Sequence, residues 1–270
     1  MKNNPTRILT VSAIIALLFF CACTTKNPDG GTTTTTMPPG LSAEEIRDKT
    51  LGVEALGSYG FDLTMKISAA VPVEVEAKAD VDIRNRKMQS TMTAGLLGMT
   101  QTTEEYVVGT TQYILLPKAG WTKKETQADM WNGKDLLESQ KSLMKEIKVT
   151  LLGTENVDGT DCYVLEMKPS KEQLAGILES QAGSMETGFT KEELVSRVKD
   201  IQWKEWIAAD TFLPKKTTTV MQMESNGKTM NVDTQIIFRD YNKEFEIELP
   251  EEAKNAKATA ETTPASAAGA

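Results

Sequence analysis

Cys23 is the residue with the most to say about chemistry. It ends an apolar run, Ile8 to Cys21, that follows a positive start at Lys2 and Arg7, and the small Ala22 stands directly before it. A basic start, an apolar stretch and a small residue before the cut form the layout of a secretory signal peptide. A cysteine at the first position after that cut offers a thiol for acylation. The spacing therefore points to cleavage before Cys23 and lipid attachment at its sulfur. Phe20 is too large for a cut before Cys21, although Phe20 and Cys21 also stand where such sites usually carry Leu and a small residue. The alternative is an uncleaved anchor, because Ile8 to Thr25 carries no charge and lies at the short edge of what spans a bilayer. Both readings put the domain on the extracytoplasmic face of the cell membrane.

The rest of the chain is poor in reactive groups. It has no histidine, the commonest general base and metal ligand at neutral pH. Ser–His–Asp, Cys–His and HExxH sites are thereby excluded. Carboxylates remain for an acid–base pair or a calcium loop, but most alternate with apolar residues, as on the wet face of a sheet. No DxDxDG loop, glycine-rich phosphate loop or nucleophile elbow occurs. Cys162 has no partner once Cys23 is acylated, and in a strand pattern it reads as a small buried hydrophobe. The formal charge of −8 becomes more negative when Lys2 and Arg7 leave with the signal, and it opposes nucleic acid and anionic headgroups. The chain reads as a monomer that binds or holds, not as an enzyme, with no cofactor, no metal and no nucleic-acid partner.

Positioning falls to one domain. Residues 1–22 are the expected signal peptide. Residues 23–40 are the lipidated cysteine and a Thr/Pro/Gly tether too polar to pack. Residues 41–250 form the domain, and 251–270 read as a disordered tail. Ser42 with Glu45 is a capping box, and Leu41 with Ile46 a staple around it, so a helix runs through AEEIRDKTLGVEAL. Arg47 in that helix reads as a surface residue. The period then changes to two in FDLTMKI and VPVEVEAKADVDI, the pattern of antiparallel strands with one wet face. KMQSTMTA, EEYVVG and TQYILLP continue the meander, residues 121–131 are looser, and 132–146 read as a helix. KVTLLGTENV and CYVLEMK make a hairpin about Asp158–Gly159. Ser170 with Gln173 and Thr190 with Glu193 start further helices. IQWKEWIAAD, TFLPKKTTTVMQMES, KTMNVDTQIIFRDY and KEFEIELP close the chain as strands, with a turn at Asn226–Gly227 and a bulge at Trp206, which breaks the alternation.

The sum is an α+β fold of roughly ten or eleven strands and three or four helices. A sheet of that size is expected to curl, giving an open half-barrel with helices over its apolar side. That side either encloses a greasy cavity or fills into a solid core.

VDGTDCYVLEMKPS, WKEWIAADTFLPKKTTTVMQ and RDYNKEFEIELP, with the cysteine, the tether and the first amphipathic helix, resemble the LolA/LppX-like family of lipoprotein carriers and lipid-binding lipoproteins over residues 41–250. The resemblance implies a half-barrel closed by helices around a hydrophobic cavity. It also implies binding of a lipid or of the acyl chains of a lipoprotein, without catalysis. A chain fixed to a membrane by Cys23 fits a local role better than free shuttling. The expected lining residues are Phe61, Leu63, Met65, Val73, Val75, Leu115, Met221 and Met223, because they alternate with polar neighbours and should share one side. Met221 and Met223 also suit an adaptable surface, and the unalternated run GLLGM from Gly95 to Met99 reads as a loop at a cavity mouth, a membrane-facing tip or a short buried turn. The competing reading is a surface interaction module with a solid core and no lipid.

Overall fold

Ser42 and Glu45 start the first element as their spacing requires. The Ser42 amide donates to Glu45 Oε2 at 2.7 Å, and the Glu45 amide donates to Ser42 Oγ at 3.1 Å. Two donors that a helix start leaves free are thereby satisfied. In the computed structural model, which describes residues 40–52, 56–69, 71–96, 98–117, 119–125, 131, 142, 144–174, 177, 196–225 and 227–258, this helix is α1, Ala43–Gly52. Leu41 and Ile46 both join the apolar cluster beneath it. Arg47 departs from its surface reading. Its Nη1 donates to the Ile147 carbonyl at 3.1 Å and its side chain is 12% exposed, so it pins α1 to the start of a strand. Cys23, the tether and the Thr190–Glu193 helix start lie outside the described residues.

The strands are β1 Ser58–Ser68, β2 Val73–Asp82, β3 Lys87–Leu96, β4 Met99–Val108, β5 Thr111–Leu116, β6 Gly120–Glu125, β7 Lys148–Val157, β8 Thr160–Lys168, β9 Val198–Ala208, β10 Pro214–Ser225, β11 Lys228–Arg239 and β12 Lys257–Ala258, with helix α2, Glu251–Lys254, before the last. They form one 12-stranded sheet in the order β12-β6-β5-β4-β3-β2-β1-β11-β10-β9-β8-β7. Its pairings are antiparallel except for the parallel β12–β6 contact. This corrects the expected fold class. The sheet is open, with β12 and β7 at separate ends, and it is not a curled half-barrel of ten or eleven strands. Nor do the labelled helices cover its middle: α1 packs on β7, and α2 against β5 and β6. Alternation reports that one face of a strand is buried. It carries no information on how neighbouring strands bend, and that is where the expectation failed.

Turn chemistry sets the registers. Asp158 and Gly159 have φ of 48° and 80°, the pair of positive values that a two-residue hairpin prefers. The bulge near Trp206 is real but sits on the partner strand: Pro214 faces Ile207 and Lys216 faces Trp206, leaving Lys215 as the extra residue. Trp206 itself follows the plain alternation of β9, out of phase with Glu205 and Ile207, and lies on the back of the sheet with Cys162 and Val164. There burial pushes the Cys162 thiol up to about 11, which leaves it inert.

The end of the chain differs most from its pattern. KEFEIELP forms no strand. The segment crosses the back of the sheet instead. The Asn242 amide donates to the Ser58 carbonyl at 2.8 Å, Ser58 Oγ donates to the Lys243 carbonyl, and Lys87 Nζ donates to the Ile247 carbonyl at 3.2 Å. Ile247, Ala253 and Ala256 are buried, and α2 and β12 follow, so any tail begins after the position expected. On the same back, Arg239 Nη2 lies 2.8 Å from Asp80 Oδ1, Nε 3.4 Å from Asp62 Oδ2 and Nη1 3.2 Å from Asp240 Oδ2. Gly60 faces Arg239 across the ladder, and a Cβ there would collide with the Arg239 guanidinium.

Candidate functional site

Residues directly opposite in antiparallel strands share a face, so the registers can be followed across the sheet one level at a time. The face that carries Phe61 has three informative levels. The first runs Leu165, Glu205, Thr217, Ile236, Leu63, Ala77, Met92 and Thr103 from β8 to β4. Most of these are buried, Leu63 to 4% and Ile236 to 3%. The second runs Met167, Trp203, Thr219, Thr234, Met65, Val75, Ala94 and Gln101. The third runs Ile201, Met221, Val232, Ile67, Val73, Leu96 and Met99 from β9 to β4. It is apolar at all seven positions and spans about 29 Å at ~4.8 Å per strand. Ile201, Met221, Val232, Ile67 and Val73 are only half-buried, and Met99 is 68% exposed.

The expected lining residues divide along these levels. Phe61, Leu63, Met65 and Val75 sit together in a packed cluster with Tyr59, Ile236 and Phe238, and Val73 packs on its margin. Met221 and Met223 lie half-buried on the same face over β10. Leu115 does not join them. It pairs with Glu104, one residue out of phase with Thr103 and Glu105, and with Trp121 on β6. It therefore lies on the back beside the Tyr106–Trp121 ring contact at 5.8 Å. The alternation of TQYILL does not show which of its two phases is the inner one. Of the GLLGM run, Gly95 and Leu96 end β3, Met99 opposite Leu96 begins β4, and Gly98 has φ 75°, while Leu97 lies outside the described residues.

Sequence reading missed Glu205. In WKEWI it stands in phase with Trp203 and Ile207, a charged type at an apolar position, and that was the available signal. It is 5% exposed, and its Oε1 has no hydrogen-bond partner. Burial pushes its carboxyl up to about 7, opposed by the neighbouring Trp203 indole. The Trp203 indole approaches the carboxyl as a hydrogen-bond donor and lowers its pKa, but the two do not meet in full hydrogen-bond geometry, and Thr217 Oγ1 and Tyr163 Oη have no partner. All four groups belong to β8, β9 and β10 on the Phe61 face. Another carboxylate on this face, Glu105, is by contrast held by the Gln112 amide.

A groove of about 540 Å³ opens at the end of β8 and the start of β9, with Met167, Val198, Ile201 and Leu174 among its walls and Lys168 and Lys199 beside them. None of the eight expected residues lines it. Leu174 belongs to the helical turn whose start Ser170 and Gln173 cap reciprocally at 2.8 and 3.2 Å. Among the described residues no group of three or more Cys, Asp or Glu is placed to hold a metal.

LprF of Mycobacterium bovis is similar to this chain at 15% identity and a TM-score of 0.49, over 77% of this chain and 96% of that one. The Mycobacterium tuberculosis lipoprotein LppX is similar at 14% identity and a TM-score of 0.46, over 76% and 97%. No curated protein matches. A family model matches residues 43–258, from the first residue of α1 to the last of β12, and the chain therefore belongs to the family of unknown function DUF6612.

Proposed function

We propose that this protein is a membrane-anchored lipoprotein, held by acylated Cys23 outside the cytoplasm, that binds a lipid or the acyl chain of a lipoprotein along the apolar level from Ile201 to Met99. The observation that carries this reading is that level itself. Seven apolar residues from seven adjacent strands lie in line, and the side chains of Ile67, Val73, Met221 and Val232 keep part of their surface in water. A folding core buries such residues, whereas a surface that receives an apolar ligand leaves them open. The methionines add adaptability to ligands of varied shape. A 16-carbon chain covered on one side gains on the order of 6 kcal/mol, half of ~0.8 kcal/mol per methylene. Association costs a comparable amount, so firm binding needs a second contact.

The test is native mass spectrometry and organic extraction of the mature protein. A lipid should copurify, and Val232→Asp, which places a charge mid-level, should lose it while the fold persists by circular dichroism. The intact mass of the native chain should also show an acylated Cys23 at the N-terminus. If no lipid copurifies and no acyl probe binds on titration, the solid-core interaction module becomes the better account. Retention of residues 1–22 refutes the acyl anchor.

A further inference from the structure

The interior contains polar groups that the fold itself does not use. Glu205, Thr217, Trp203 and Tyr163 are 5%, 4%, 7% and 4% exposed. Thr217 Oγ1 and Tyr163 Oη have no hydrogen-bond partner, and the Trp203 indole and Glu205 carboxyl approach each other without full hydrogen-bond geometry. Buried polar atoms left unpaired or poorly paired are costly, and such a cluster on three adjacent strands is more than packing explains. Their placement has a direction. Glu205 faces Thr217 across the β9–β10 ladder, and Trp203 is next on the same face, opposite Met167. Met167 and Ile201 are walls of the open groove, and Ile201 is also the first residue of the apolar level. Successive residues on one face of a strand are about 7 Å apart, so the groove, the indole N–H and the carboxyl follow one another along β9. The polar pair also interrupts the apolar face: one cluster ends at Ile236 and Phe238, and the other begins at Leu165 and Trp203.

From this arrangement we infer that Trp203, Glu205 and Thr217 form a polar seat, reached from the groove at the β8 and β9 ends, for an uncharged hydrogen-bonding group of the ligand whose apolar part lies along the Ile201–Met99 level. A hydroxyl, an ester or an amide fits. The indole and the hydroxyl are donors, and a neutral carboxyl both donates and accepts. Lys204 and Lys216 lie one residue out of phase with Glu205 and Thr217 on β9 and β10, so their side chains belong to the other face, where Lys216 sits over the Trp206 ring. At the groove, Lys168 and Lys199 are already paired with Glu166 at 2.8 Å and Glu224 at 3.0 Å, so an anionic head is the wrong complement for the seat. The seat supplies the second contact that a one-sided acyl chain requires, and this inference rests on the proposed apolar binding level.

The test uses the mature full-length chain with Cys23→Ser, titrated with monoolein, oleylamine and sodium oleate and followed by calorimetry. Wild type should bind monoolein at pH 6 and bind oleate more weakly. Glu205→Leu and Thr217→Val should each weaken monoolein by tenfold or more, whereas Glu205→Gln, which keeps a donor and an acceptor, should stay within about threefold. Thermal melts of each variant separate lost binding from lost fold. Because Glu205→Leu fills the same space without an unpaired oxygen, its melting point should not fall. If Glu205→Leu binds monoolein as wild type does, the seat is overturned and the apolar level stands. Preferred binding of oleylamine, with Glu205 as its anionic partner, overturns the uncharged assignment. If wild type binds none of the three probes, the apolar level fails and the seat with it.

Discussion

Phe61 and Ile67 stand on one strand and one face, in one unbroken alternation, yet Phe61 is 6% exposed and Ile67 only half-buried. The difference recurs on every neighbouring strand: Ala79 against Val73 on β2, Phe238 against Val232 on β11. The sheet's apolar face thus has a closed end, near the chain segment that crosses behind Ser58, and an open end, near the β3–β4 hairpin. The closed end is a folding core. The open end repeats the same residue types without the same cover, and excess apolar surface of that kind is what a ligand face requires.

The most forceful way to break this contrast is to truncate both ends. Leu63→Ala should cost about 2–5 kcal/mol, the range for emptying a packed site, and Ile67→Ala should stay within about 1 kcal/mol, as measured by urea unfolding. Equal costs would mean that the open end is core as well.

A second test concerns the level where Glu205 sits. Its carboxyl has an ordinary value of 4.5 and is raised to about 7 by burial, so the folded state holds a proton that the unfolded state releases. Its contribution to stability is fully present below about pH 4.5 and is lost as pH rises to about 7. Across that window wild type should lose up to about 3 kcal/mol relative to Glu205→Gln, at 1.36 kcal/mol per pKa unit. Parallel pH profiles for the two proteins would place the carboxyl in contact with water, at the open end of the comparison.

The smallest effect is expected behind the closed end. Gly60→Ala should displace the Arg239 guanidinium from Asp80 and Asp62 and cost about 1–2 kcal/mol, the scale of a hydrogen bond to a charged group. In an Arg239→Ala background the same change should cost less, and the double-mutant cycle reads the coupling directly. Additive costs would trace the requirement for glycine to the backbone, not to the arginine.

Much of this architecture was legible. Helix starts followed from Ser42 with Glu45 and Ser170 with Gln173, because capping is local. The strands β1 and β2 followed from alternation, because their two faces meet such different surroundings, whereas β8 and β11 followed from the turn signals at Asp158–Gly159 and Asn226–Gly227, β8 being buried on both faces from Cys162 to Leu165. The rest depends on contacts between distant segments. GWTKKE has no alternation and becomes β6 through its pairing with β5. EFEIEL alternates as a strand should, but Ser58 holds the Lys243 carbonyl just before it and Lys87 holds the Ile247 carbonyl within it, across the back of the sheet. Leu115 shows that alternation gives two faces without naming the inner one. Glu205 shows the converse: a residue type out of keeping with its phase is readable, provided that it is taken as a signal and not averaged into the strand.

The position of β1 bears on the order in which the molecule can be made. It pairs with β2, its immediate successor, and with β11, almost the last strand synthesised: Gly60 meets Arg239, and Ser68 meets Asn231. Chains are made from the N-terminus, at about 5–20 residues per second. Strands β1 to β6 can pair as a meander at once, but β1 then waits as an unpaired edge, carrying Phe61, Leu63 and Met65, until the final hairpin arrives. Contacts so distant in sequence slow folding, and an apolar edge invites pairing with another chain. The strand at the centre of the finished sheet is therefore the one most in need of a chaperone while the sheet is half built.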